Sequence, residues 1–135
     1  MFSESTEKSL LASVIMKPSN LDLAKKWIEE PSVFYNDFHK NIWNTILSLH
    51  NKREDIDVVS VVHNYPQKKY VGKQLAYEIT ELATSEATSS RVEYYAKMLH
   101  GYWLRRELGS YSKKLGGLTE DNSNDISDLL NESHT

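Results

Sequence analysis

The sequence predicts an all-α protein, a globular helical head over residues 1–85 followed by a long helical hairpin over residues 88–135. Three observations predict it. Apolar residues recur at intervals of three and four along nearly every segment, few stretches alternate, and the periodic runs are bounded by capping residues, prolines or glycines.

The first helix carries Leu10, Leu11, Val14 and Ile15 on one side, with Ser3 or Ser5 as its cap, and Pro18 ends it. A short second helix starts near Ser19 or Asn20, turns Leu23, Trp27 and Ile28 inward and stops before Pro31. Asn36 caps the third, whose stripe of Phe38, Ile42, Ile46 and Leu49 makes one continuous apolar face. In the fourth, Asp57 caps Val58, Val61 and Val62. The run from Val58 to Val62 is rich enough in β-branched residues to compete as a strand, but the cap and the lack of a partner strand favour a helix. Gly72 precedes a fifth helix with Leu75, Ile79 and Leu82 inward, and Ala83 to Ser90 reads as a polar linker.

The longest helix runs from about Ser89 to Leu115 with two apolar stripes. Val92, Ala96, Leu99 and Trp103 make one, and Leu104, Leu108, Tyr111 and Leu115 make the other. The step between them rotates the apolar face by about 100°, so the halves pack against different neighbours or the helix bends at Gly101 or Gly109. The first alternative is favoured. Gly116 and Gly117 supply a left-handed stop, and a last short helix holds Ile126, Leu129 and Leu130 with Asp125 and Asp128 near its start.

Composition narrows the function. The chain of 135 residues has room for one domain, and its 39% hydrophobic and 26% charged residues suit a folded protein. No apolar run approaches the roughly 20 residues that cross a bilayer, and the start is polar, so secretion and membrane insertion are not expected. A cytoplasmic setting is expected, and zero cysteines exclude thiolate chemistry. The net charge of −3 argues against strong direct DNA binding. It is unevenly spread, with −2 over residues 1–87, +4 over 88–116 and −5 over 117–135. Opposed charges across a terminal hairpin would help it close, but exposed pairs contribute only about 0–1 kcal/mol each, so apolar contact must dominate.

No catalytic constellation emerges. Asp37 and His39 stand two apart on a helix and do not face each other. A structural role for His39, bonding the chain that enters from Phe34 and Tyr35, outweighs a catalytic one. The other histidines lack metal-ligand spacing, and the carboxylate pairs Glu29/Glu30 and Asp55/Asp57 lie at helix ends where capping explains them. Tyr94, Tyr95, Tyr102 and Trp103 lie among basic residues as base-stacking platforms do, but a helical interface accounts better for such aromatics. Tyr95, Leu99, Trp103, Leu108, Tyr111 and Leu115 are therefore the expected oligomer or partner interface. The expected catalytic, cofactor and metal residues are none.

The run from Phe34 to Leu49, written F-Y-x3-H-x2-I-W-x2-I-x2-L, resembles the signature helix of the N-terminal domain of DnaB-type replicative DNA helicases, with Phe34, Tyr35, His39, Ile42, Trp43 and Ile46 as its marks. Four further segments follow that family's order. Glu7 to Ile15 is similar to its first helix. Asp55 to Val61 resembles "P-I-D-x-x-T-V", with Asp55 where proline is common and Ser60 for threonine. Ala76 to Leu82 resembles "A-Y-L-x-E-L" behind half of the usual glycine pair, and Arg91 to Leu108 resembles "N-I-x-Y-Y-A-x-I-V" continuing to "R-R-x-L".

The resemblance implies the collar domain of a hexameric helicase. In that family the hairpins pair neighbouring subunits, the heads close a trimer of dimers, and the collar receives a DnaG-type primase and a helicase loader. ATP and magnesium would belong to a RecA-like motor, and no G-x4-G-K-[S/T] phosphate loop occurs in this chain. The isolated domain is expected to be a monomer or weak dimer. A free-standing phage regulator of primase or loader, and the helicase-binding domain of a primase, are the alternatives. A small hydrolase built on His39 ranks last.

Overall fold

In the computed structural model, residues 2–66, 72–84 and 89–121 are described, and among them there are helices and no strand. Helix α1 spans Glu4–Met16, α2 Leu21–Lys25, α3 Asp37–Asn51, α4 Val58–Asn64, α5 Gly72–Ala83 and α6 Val92–Asp121. Short 3-10 turns at Pro18–Asn20, Pro31–Val33 and Ser89–Arg91 lead into α2, α3 and α6.

Ser3 starts α1, its Oγ accepting from the Thr6 N–H at 3.3 Å. Pro18 then forces the switch to a 3-10 turn. In α2 the inward face is Leu21, Ala24 and, just past the helix, Ile28, a spacing of three and four. Leu23, expected inward, lies off that line and is exposed, while Trp27 packs against the core from its edge.

Helix α3 follows the predicted stripe. Ile42, Ile46 and Leu49 are buried, with Trp43 beside them and Phe38 partly covered. It ends in a Schellman turn. Arg53 takes φ 58°, its N–H donates to His50 O at 3.0 Å, and the Glu54 N–H donates to Leu49 O at 2.9 Å. In α4 the Asp57 carboxylate accepts from the Ser60 N–H at 2.7 Å. A strand would put Val59 and Val61 on one face, yet Val59 is 76% exposed and Val61 0%, as a helix requires. Leu75, Ile79 and Leu82 of α5 are buried as expected.

The core forms where α1 packs on α3 and α5, with α4 against α3 and α5. This unit runs from Met1 to Trp103, beyond the boundary at residue 85 expected from sequence. The physical reason is the first stripe of α6: Val92, Ala96 and Leu99 are core residues at 2%, 0% and 1% exposure. The described residues from Leu104 to Asp121 belong to a second unit.

Gly116 and Gly117 do not end α6, which continues to Asp121, and no described glycine takes a positive φ. The hairpin's return helix, with Asp125, Ile126, Asp128, Leu129 and Leu130, lies outside the described residues. Gly101 sits inside α6, and a Cβ added there meets nothing within 4 Å. Replacing it with alanine removes backbone entropy from the unfolded chain without a clash. Gly101→Ala is therefore expected to raise stability by about 0.5–1 kcal/mol, read as a higher thermal midpoint.

Candidate functional site

Glu7 is a charged residue buried in the first unit. It falls at the buried end of the α1 stripe, three and four residues before Leu10 and Leu11, and its exposure is 0%. One carboxylate oxygen, Oε2, accepts the Tyr35 N–H at 2.8 Å. The other, Oε1, accepts the Asn36 N–H at 3.3 Å and the His39 Nδ1–H at 2.8 Å. Asn36 caps α3 through its own side chain, Oδ1 accepting from the Phe38 and His39 N–H groups.

Burying a carboxylate is costly unless its lone pairs are filled, and here three donors from the α3 entry fill them. The sequence reading gave His39 the task of bonding the entering chain. The carboxylate of Glu7 performs it, and His39 orients that carboxylate from the first turn of α3. A glutamate on an apolar helical stripe was the available signal.

The six residues expected as an interface divide into two groups. Leu99 belongs to the core, so it cannot contribute to an interface, and Tyr95 and Trp103 are partly buried against the same core. Their side of α6 is occupied by the chain's own helices. Leu108 at 67%, Tyr111 at 40% and Leu115 at 43% are exposed, as is Leu104 at 43%. These four are spaced four, three and four, the repeat of a coiled-coil seam. Leu104 stood on the second stripe in the sequence but not among the expected interface residues. Of the signature residues, Phe34, His39, Ile42, Trp43 and Ile46 are buried. Tyr35 is half exposed and stacked on Phe2 with ring centroids 4.0 Å apart. The signature is thus chiefly a packing motif.

A cleft of about 730 Å³ opens between α1, the start of α3 and α5. Among the described residues, Glu4, Glu78 and Glu81 line it together with Lys8, which sits 3.9 Å from Glu4. The Tyr77 hydroxyl donates to Glu81 Oε1 at 3.0 Å. That hydrogen bond, and then the charge of Glu81, hold the phenol above its usual pKa. His39 and Phe38 line the cleft from α3 and Leu82 from α5. Among the described residues no three His, Asp or Glu side chains come together as metal donors, and no helix is long and apolar enough to cross a membrane.

The DnaB-like helicase N-terminal domain family matches residues 2–101. The chain belongs to that family. Among relatives of this DnaB-like domain, the replicative DNA helicase DnaC of Bacillus subtilis is 30% identical over 129 residues. The match takes in 93% of this chain and 28% of that protein. The replicative DNA helicase DnaB of Rhodothermus marinus is 26% identical, over 93% of this chain and 13% of that protein. The chain therefore spans about a quarter or less of these relatives. The N-terminal domain of DnaB helicase from Mycobacterium tuberculosis shares the fold, with a TM-score of 0.86, 18% identity, and coverage of 98% of this chain and 97% of that one. The family match ends just short of Leu104, near the end of the first unit, whereas the likeness to the Mycobacterium tuberculosis domain covers 98% of this chain.

Proposed function

We propose that the chain acts as the N-terminal collar domain of a hexameric replicative DNA helicase, holding subunits together and receiving a DnaG-type primase and a helicase loader. The observation that carries the proposal is the exposed row of Leu104, Leu108, Tyr111 and Leu115 on α6 of a DnaB-like domain. Large apolar side chains cluster at protein interfaces rather than on free surfaces.

The magnitudes favour weak self-association in isolation. Fully burying such a side chain contributes roughly 1.5–3 kcal/mol, and these are already part-covered, so each recovers about half. Association costs on the order of 4–15 kcal/mol. Two copies come close to balance, and a motor ring that holds them together tips it. ATP and magnesium chemistry belongs, on this reading, to a motor domain; this chain works by adhesion. The burial of His39 against Glu7 supports the structural role of that histidine over a hydrolytic one.

The experiment is a pull-down with the C-terminal domain of a DnaG-type primase. The immobilised chain is expected to retain it at micromolar concentrations, and no retention at tens of micromolar would overturn the primase assignment.

A further inference from the structure

We infer that the turn of α6 from His100 to Trp103 is a latch on the chain just past α2, one that lifts and reseats while the rest of the first unit stays folded. The inference lies wholly within the first unit and is independent of the exposed face of α6.

The latch is an aromatic seam. His100 of α6 meets two indoles, its ring centroid lying 5.7 Å from that of Trp27 and 5.7 Å from that of Trp103. A hydrogen bond crosses the seam, His100 Nδ1–H donating to Trp27 O at 3.1 Å. The Nε1–H groups of Trp27 and Trp103 are both buried, yet neither has an acceptor among the described residues. A buried donor without a partner bears its full desolvation cost, whereas a bond that is made returns only a modest net gain over its bond to water. Closing the seam therefore covers two donors that water would satisfy, in exchange for a bond that water would replace. Opening it relieves both.

The seating of α6 also changes at this point. Val92, Ala96 and Leu99 are buried and fix the first turns of the helix in the core, while His100, Gly101, Tyr102 and Trp103 are only partly covered. Gly101 falls inside this turn, and a Cβ added there meets nothing within 4 Å, so close packing does not call for glycine. What glycine supplies in a helix interior is a backbone that distorts at lower cost. Two unmet donors, thin cover and a pliant residue coincide at one turn. Local opening draws on such low-stability segments.

Hydrogen exchange of the indole N–H groups, followed by nuclear magnetic resonance on the full isotope-labelled chain, tests the latch. Trp43, 1% exposed in the core, reports global unfolding. Trp27 and Trp103 are expected to exchange at least about 100-fold faster than Trp43, because they need only the local opening. Glu7→Gln weakens the whole fold, so it is expected to speed Trp43 exchange about tenfold and to leave Trp27 and Trp103 unchanged. Gly101→Ala is expected to slow Trp27 and Trp103 about two- to fivefold. Exchange of all three indoles at one rate, acceleration of all three by Glu7→Gln, or no slowing by Gly101→Ala would each overturn the inference.

Discussion

Replacing Glu7 with alanine is expected to destabilise the fold by about 3–5 kcal/mol, the range for removing one member of a buried ion-paired or hydrogen-bonded set. Three donors lose their acceptor at once: the N–H groups of Tyr35 and Asn36 and the Nδ1–H of His39. Each unpaired buried donor costs about 1–3 kcal/mol, and water entering the gap returns part of that. A domain of this size has only about 5–15 kcal/mol in total, so the variant stands near unfolding. Glu7→Gln keeps one acceptor oxygen and is expected to lose less. Urea unfolding with matched m-values measures both. A loss below about 1 kcal/mol for Glu7→Ala would show that the carboxylate does not tie α1 to the start of α3.

Trp43→Ala is the second large effect, at about 3–5 kcal/mol. The indole is 1% exposed and lies against Phe34 with ring centroids 5.6 Å apart. Removing it opens a cavity among Ile42, Ile46 and their neighbours in a helical core that cannot collapse without moving whole elements. Leu108→Ala, on the exposed face, is expected to stay within about ±0.5 kcal/mol. Denaturant midpoints for the two variants test the division of the chain into a packing motif and a contact face, and similar losses in both would refute it.

Period and punctuation made most of the fold legible. Asn36, Asp57 and Pro18 act where the sequence placed them, because capping and the missing proline N–H are local effects. Period alone could not tell which apolar stripe faces the chain's own core and which faces outward. Both stripes of α6 have helical spacing, yet Leu99 is buried in the head and Leu108 is exposed. Tertiary packing decides that, as it decided that Leu21 rather than Leu23 points inward. Gly116 and Gly117 were misleading because glycine permits a left-handed stop without enforcing one. The Glu7 tie escaped because its partners are 28 to 32 residues away in sequence. The cleft was equally hidden, since Glu4 and Glu81 meet only through the packing of α1 on α5.

On the proposed reading, this DnaB-like domain works through contacts made by the exposed face of α6. Light scattering across a concentration series tests it most directly, comparing the wild-type chain with Leu108→Asp. The wild-type weight-average mass is expected to rise from the 15.6 kDa monomer toward twice that value as concentration increases. The variant is expected to stay monomeric while melting at the wild-type temperature. A tight hexamer at micromolar concentration, or association that Leu108→Asp leaves unchanged, would contradict the account.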